Sequence, residues 1–339
     1  MSKSVVCFGE LLLRLGAPGR QMLLQSPQFE VHFGGAEANV AVSLALFGHQ
    51  TSMVSTVPQG PLGEAVIGEL RRFGVDTRQV HTGAGRMGLY YLMNGAIHRP
   101  SEVLYDRAGS AFAIAEPHRY DWDKALAGAS YLHLSGITPA LGSAGSTAAQ
   151  DAVEAATRLR EAVVFDGNYR SKLWEAWDGD PPTRLSALVN HAELLFAGHR
   201  DIAVLLGEDR SDAPVLEQTI AAAARAFAAF PRLKRLVTTL RTQRSVDHHA
   251  LSAVLIDAAG SVHLTPEYEI TPIVDRIGTG DAFAAGVLHG LISGQDDAAA
   301  LRFGLGAACL KHSIPGDVNR VLANDVEAFI ADSGFHVRR

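Results

Sequence analysis

The chain has 339 residues, of which 47% are apolar and 19% charged, and carries a net charge of −6. That size supports one large core or two modest ones, and the apolar share is that of a globular enzyme. The acidic balance and the lack of a Lys/Arg run argue against nucleic acid as a partner. Two cysteines, Cys7 and Cys309, both in apolar settings, allow no disulfide framework or zinc cluster and read as buried free thiols.

At the N-terminus an apolar run, Val5–Phe8, meets Gly9-Glu10 without the pattern of a signal peptide. No apolar run approaches the length of a membrane span. A cytoplasmic protein with no membrane partner is therefore expected. Further along, Ser52–Val57, Tyr131–Leu134, Ala162–Phe165, Leu194–Ala197 and Leu236–Thr239 read as buried strands. Helical patterns lie between and after them, at Ala36–Phe47, Leu62–Phe73, Ser143–Arg160, Asp201–Leu206, Asp212–Ala229, Thr279–Ile292 and Ala298–His312. Strands alternating with helices predict a mostly parallel sheet covered on both faces.

Two stretches break that alternation. Gln21–Phe33 and Met87–Tyr105 alternate β-branched and aromatic residues without helices between. Leu89–Met93 and Glu102–Tyr105 read as antiparallel strands joined near Asn94-Gly95. Together they predict a small accessory sheet placed to cover a site at the carboxyl ends of the main strands. The expected organisation is a single α/β domain over residues 1–330, with lid segments at about 14–33 and 86–107 inserted.

Gly278-Thr279-Gly280-Asp281 leads from an extended segment straight into a helical pattern. A helix start presents unpaired N–H groups and the positive end of the macrodipole, which suits an anion. An acid beside an anion is unhelpful for binding alone. It is useful when a proton must leave a hydroxyl as a phosphoryl group arrives.

Gly34-Gly35-Ala36-Glu37-Ala38-Asn39 is a second glycine-to-helix junction. It serves either plain helix initiation or a polyhydroxyl ligand facing Glu37 and Asn39. Asp166-Gly167-Asn168-Tyr169-Arg170 ends a buried strand; Asn168 and Arg170 would face the crevice, whereas Asp166 could merely close a turn and Arg170 could be a surface residue. Arg107, after the hairpin, presents a planar fork that matches a carboxylate. Gly83-Ala84-Gly85-Arg86-Met87-Gly88 has the spacing of a dinucleotide fingerprint but precedes a strand instead of opening a helix, so it is rejected. No Walker A sequence occurs. The 14 histidines form no metal pair at helical spacing.

In order, these motifs resemble the ribokinase-like (PfkB) family of carbohydrate kinases. Gly34-Gly35…Asn39 is similar to the family's N-terminal signature. Asp275-Arg276-Ile277-Gly278-Thr279-Gly280-Asp281-Ala282-Phe283 is similar to its C-terminal one, usually written D-T-V-G-A-G-D-x-F. Arg99–Ser110, Asn168–Trp174 and Leu310–Asp317 are most similar to the family's 2-keto-3-deoxygluconate kinases. The resemblance implies a three-layer α/β/α fold with a mostly parallel sheet and a small antiparallel β lid.

It also implies ATP-dependent phosphorylation of a sugar-acid hydroxyl, giving 2-keto-3-deoxy-6-phosphogluconate. Asp281 would be the base, and Gly278, Thr279 and Gly280 would supply the anion hole. The sugar acid would meet Gly34, Gly35, Glu37, Asn39, Tyr90, Tyr105, Arg107, Arg170 and Asp281. Asn168, Arg170, Thr239, Arg241, Gly278, Gly280 and Lys311 would meet the nucleotide. Mg²⁺ would arrive on the nucleotide's phosphates, and the resemblance leaves room for a monovalent cation near Asp275. A homo-oligomer formed through apolar lid residues such as Leu23, Val31 and Leu89 is expected.

Three segments depart from the family pattern. Arg276 replaces a threonine. Gly198-His199-Arg200-Asp201 stands where N-x-x-E is usual, and the Thr238–Arg241 segment lacks the usual glycines. A kinase for a neutral ketose such as fructose, and a catalytically silent sugar- or nucleotide-binding relative, are the alternatives.

Overall fold

The computed structural model describes residues 3–207 and 214–331. Its first third contains β1 (Ser4–Phe8), β2 (Leu12–Gly16), β3 (Glu30–Gly34), α1 (Ala36–Leu46), β4 (Gln50–Pro58), α2 (Pro61–Arg72), β5 (Asp76–Gly83), β6 (Gly88–Met93) and β7 (Glu102–Asp106). There follow α3 (Trp122–Ala125), β8 (Tyr131–Ser135), α4 (Ile137–Ala140), α5 (Ser143–Leu159), β9 (Ala162–Asp166), α6 (Ser171–Trp174), α7 (Pro181–Val189), β10 (Ala192–Phe196), α8 (His199–Leu206) and α9 (Val215–Ala229). The chain then forms β11 (Arg235–Ser245), β12 (His248–Asp257), β13 (Val262–Leu264), β14 (Tyr268–Ile270), α10 (Thr279–Ile292), α11 (Asp297–Lys311) and α12 (Ala323–Ile330). Residues 212 and 213, where the sequence pattern would start α9, lie outside the described residues.

The main sheet runs β13-β12-β11-β10-β9-β8-β1-β4-β5, with β14 also on β12. From β5 to β11 every pairing is parallel, whereas β12 pairs antiparallel with β11, β13 and β14. Period-two alternation sends successive side chains to opposite faces. Val6 and Phe8 enter a core with α5, α7, α8 and α9, whereas Val5 and Cys7 enter one with α1, α2, α10 and α11. This is the three-layer α/β/α arrangement. Cys7 and Cys309 are buried free thiols.

A separate sheet orders β3-β2-β6-β7. Its β2–β3 and β6–β7 pairs are antiparallel, and β2–β6 is parallel. Leu12, Tyr90 and Leu92 form its apolar face, backed by Val103, Tyr105 and Ile277. That face thus rests on the residue that precedes α10's entry turn.

Two local expectations are corrected. Within Gln21–Phe33 only Glu30–Phe33 is extended, in β3, and its partner strand β2 begins earlier, at Leu12. The β6–β7 connection is also longer than an Asn-Gly turn. It spans residues 94–101 and closes on itself through paired Ala96 and Arg99, with Ile97 at φ 56°. Asn94 and Gly95 are tied instead to Gly19 and Ser101.

The Leu236–Thr239 run is the inner part of a longer strand. β11 continues through Ser245 and turns back at Val246-Asp247 into β12. Its outer half, Arg241-Thr242-Gln243-Arg244, is polar and exposed, so hydrophobicity gave no sign of it.

Candidate active site

Ligands in open α/β sheets bind at the carboxyl ends of the strands. Here a cleft of about 640 Å³ opens at that edge, between the main sheet and the small one. Asp166, Asn168 and Arg170 enter from the end of β9, Asp201 from α8, and Thr239 and Arg241 from β11. Tyr90, Tyr105 and Arg107 enter from the small sheet and the residue after it.

Two helices begin in this cleft. α10 starts at Gly278, whose φ of 76° is left-handed and whose absent Cβ would lie 1.8 Å from the Asp317 carbonyl oxygen. Only glycine fits there. No side chain caps this end, so its first N–H groups stay available. At Gly280 a Cβ would meet nothing within 4 Å, so the protein itself has no need of glycine there. The α1 start at Gly35 is likewise uncapped, and Gly35, Ala36 and Asn39 line the same cleft.

Asn39 joins the two starts: its Nδ2 donates to Asp281 Oδ2 at 2.7 Å. Burial pushes the Asp281 carboxyl up to about 7. The Asn39 hydrogen bond and Arg170 oppose that shift, while Glu37 and Asp317 add to it. A carboxyl near 7 is matched to accepting a proton at neutral pH.

Beneath the turn lies a buried ionic network. Arg14 Nη2 bonds Asp275 Oδ2 at 2.7 Å, and Arg14 Nη1 lies 3.3 Å from Asp317 Oδ1. Tyr90 donates to Asp317 Oδ2 at 2.6 Å, while Asp275 accepts from the N–H groups of Ile277 and Gly316. The segment before α10 is thereby held to the small sheet and to the Gly316-Asp317 segment. Burial raises Asp317 to about 6 against the pull of Arg14.

With this geometry in place, the pfkB family carbohydrate kinase profile matches residues 2–321. The chain belongs to the pfkB family of carbohydrate kinases. It is 34% identical over 327 residues to a 2-dehydro-3-deoxygalactonokinase of Haloferax volcanii, covering 96% of each chain. The 2-dehydro-3-deoxygluconokinase structure from Thermotoga maritima superposes with a TM-score of 0.90 at 37% identity, covering 97% of this chain and 99% of its own. A ribokinase II of E. coli in complex with ATP and Mg²⁺ has a TM-score of 0.81 over 98% of this chain and 99% of its own. At 18% identity it supports the fold alone.

For this PfkB kinase, most of the residues singled out from sequence do meet in the cleft. Gly35, Asn39, Tyr90, Tyr105, Arg107, Asn168, Arg170, Thr239, Arg241 and Gly278–Asp281 all line it. Three do not. Glu37 is 1% exposed, and its Oε1 accepts from Ser135 N, Ser135 Oγ and Thr138 Oγ1. At 100° per residue Glu37 lies far round the helix from Asn39, so it ties α1 to the end of β8. Lys311 is fully buried and donates to the Ile314 carbonyl at 2.9 Å. Gly34 lies behind the cleft, its missing side chain making room for the Asp317 carboxylate.

Arg107 is in the cleft but not free: its Nε donates to Glu10 Oε2. The pair is buried, which fixes the guanidinium plane while the Nη groups keep no partner among the described residues. Asp166, Asp317 and Arg14 are residues of the cleft and its support to which sequence reasoning gave no role. Asp166 was visible as an acid ending a buried strand; Arg14 and Asp317 gave no local sign.

Among the described residues no group of three or more His, Cys, Asp or Glu side chains could hold a metal ion. Asp166 nevertheless is raised well above the usual carboxylate range by burial and by Asp281 and Asp201. As oxygen donors lining the cleft, Asp166 and Asp201 fit a divalent cation arriving on phosphates. Asp201, the shorter acid of the altered segment, caps its own helix by accepting from Gly198 N at 2.9 Å. A monovalent cation at Asp275 fits poorly, because Arg14 and Lys311 already balance Asp275 and Asp317.

Among the described residues no helix is long and apolar enough to cross a membrane.

Proposed function

We propose that the protein transfers the γ-phosphoryl group of ATP to a hydroxyl of a 2-keto-3-deoxy sugar acid, the gluconate giving 2-keto-3-deoxy-6-phosphogluconate. The observation that carries this reading is Asp281, a carboxylate tuned to about 7, in one cleft with two uncapped helix starts and the cations Arg107 and Arg170.

In this reading the substrate hydroxyl attacks the γ-phosphorus and its proton passes to Asp281. The bond to the β-phosphate oxygen breaks, and ADP leaves with the electron pair. The N–H groups of Gly278, Thr279 and Gly280 face the charge of the transferring group. Phosphoryl transfer depends chiefly on positioning and charge stabilisation, so few residues suffice. Asp166 and Asp201, which line the cleft, would face Mg²⁺ carried on the nucleotide's phosphates, and that ion would supply further charge neutralisation. Arg107, braced by Glu10, and Arg170 take the substrate carboxylate. Tyr90 and Tyr105 offer hydroxyls from the small sheet, which acts as a lid that excludes water.

The Haloferax relative favours a second acceptor, the galactonate epimer. ADP release measured across 2-keto-3-deoxygluconate, 2-keto-3-deoxygalactonate, fructose and ribose separates sugar acids from neutral sugars. It also separates turnover from silent binding.

The lid exposes Met22, Leu24, Val31, Ile97 and Leu104 on its outer side, which supports pairing of two copies there. Leu89 is only partly exposed and packs against the core.

A further inference from the structure

Two of the three departures from the family signatures meet at one end of the cleft. Arg276 stands in place of the usual threonine, and Arg241 lies in the segment that lacks the usual glycines. Both guanidinium groups line the cleft, and neither has an acidic partner among the described residues. Arg276 lowers the pKa of Arg241, so the two like charges face each other.

The neighbouring side chains at this corner include two histidines. His312 lines the same end and has its Nδ1 on the Ala308 carbonyl. His249, on the strand paired with β11, is fully buried, and both its ring nitrogens lack a partner. The charged groups acting on His249 are Arg241, Arg276, His312 and His248. Two unpaired arginines beside a buried, uncharged imidazole form a corner whose positive charge the protein does not itself balance. Arg241 forms no ion pair with the acids of the cleft among the described residues, and burial and then Arg276 lower its pKa.

We propose that Arg241 and Arg276 clamp the diphosphate of the nucleotide, the part that leaves as ADP. Their ligand is a polyphosphate anion, and the base contributes nothing to their hold. The proposal rests on the kinase reading for the identity of the ligand, and its site is distinct from the N–H groups assigned to the transferring group. Charge-assisted pairs of this kind are worth roughly ten- to hundredfold in affinity.

Calorimetric titration with ADP, adenosine and inorganic pyrophosphate tests this on wild type, Arg241→Gln, Arg276→Gln and Arg276→Lys. Each Gln variant should weaken ADP about ten- to hundredfold and pyrophosphate in parallel, with adenosine unchanged within about twofold. Arg276→Lys should recover part of the loss. In turnover, KM for ATP should rise while KM for the sugar acid holds. Parallel loss of ADP and adenosine would mean a structural or base-contacting role and would overturn the clamp, as would unchanged ADP affinity in both Gln variants. A wild type that binds ADP through these arginines but never forms it from ATP would sink the kinase reading and leave the clamp standing.

Discussion

Asn39 Nδ2 donates a 2.7 Å hydrogen bond to Asp281 Oδ2, linking the first turns of two helices that are 242 residues apart in the chain. The bond fixes one carboxylate oxygen. Asp281 Oδ1 has no partner among the described residues. In the proposed role of base, Asp281 would be oriented by this bond from Asn39.

Removing the base while keeping its shape should separate catalysis from folding. Asp281→Asn should lower kcat by ~10²–10⁴. It should also raise the melting temperature. The Asp281 carboxyl is held at about 7 chiefly by burial. A folded-state pKa above the unfolded value means the ionised form is disfavoured in the fold. That cost is fully present above pH 7 and is relieved as pH falls toward 4. An uncharged isostere is free of it at every pH. A thermal scan at pH 8 beside turnover checks both halves.

The pH dependence of kcat/KM should show an acid limb near 7, set by protonation of Asp281. In Asn39→Ala the limb should move to higher pH, because the lost hydrogen bond had favoured the carboxylate. A limb left at the ordinary carboxylate range in wild type would remove Asp281 from the role of base.

Two glycines of one turn should respond in opposite ways. Gly278→Ala puts a Cβ 1.8 Å from the Asp317 carbonyl oxygen at a left-handed φ, so folding should suffer. Gly280→Ala meets no protein atom within 4 Å and should fold normally. If the space above Gly280 belongs to phosphate, the methyl group should raise KM for ATP or lower kcat at least tenfold. Circular dichroism melts and steady-state kinetics on the two variants distinguish these outcomes.

The network under the turn is predicted to be structural first. Arg14→Met leaves Asp275 and Asp317 buried without their shared cation. Breaking a buried pair from one side costs ~3–5 kcal/mol. Urea melts should show that loss at neutral pH. Part of it should be recovered as pH falls, beginning above 6, because Asp317 is held down to about 6 in the wild type by the pull of Arg14 and takes its proton more readily without it.

How much of this was legible follows from the range of each interaction. The parallel strands show as apolar runs because both sheet faces are covered, as at Val5–Phe8 and Ala162–Phe165. The α10 turn is legible because its chemistry is local: four consecutive residues carry the glycines and the acid. Arg14, Asp275 and Asp317 are not, since the chain brings them together across 261 residues and more. Glu37 was misplaced for a simpler reason. Its residue type suited a polyhydroxyl ligand, but its angle round α1 turns it toward Ser135. The polar outer half of β11 shows the opposite limit: pairing with β12, not hydrophobicity, makes Arg241–Ser245 a strand.

Arg107 should discriminate between acceptors. Arg107→Ala should cost a sugar acid far more kcat/KM than a neutral sugar, and because Glu10 would be left unpaired, stability should fall as well. Arg170→Ala should show the same selectivity without the stability loss, since Arg170 is exposed and, among the described residues, its side chain bonds only to the Tyr169 carbonyl. Equal losses for acid and neutral acceptors in both variants would take the carboxylate away from these arginines.

The most direct measurement is ADP release by wild type and Asp281→Asn with ATP and each of 2-keto-3-deoxygluconate, 2-keto-3-deoxygalactonate, fructose and ribose. The predicted result is turnover with one or both sugar acids, at least tenfold weaker kcat/KM for the neutral sugars, and loss of turnover in the variant. Equal or better turnover with fructose, no ADP from any acceptor, or full activity in Asp281→Asn would contradict it.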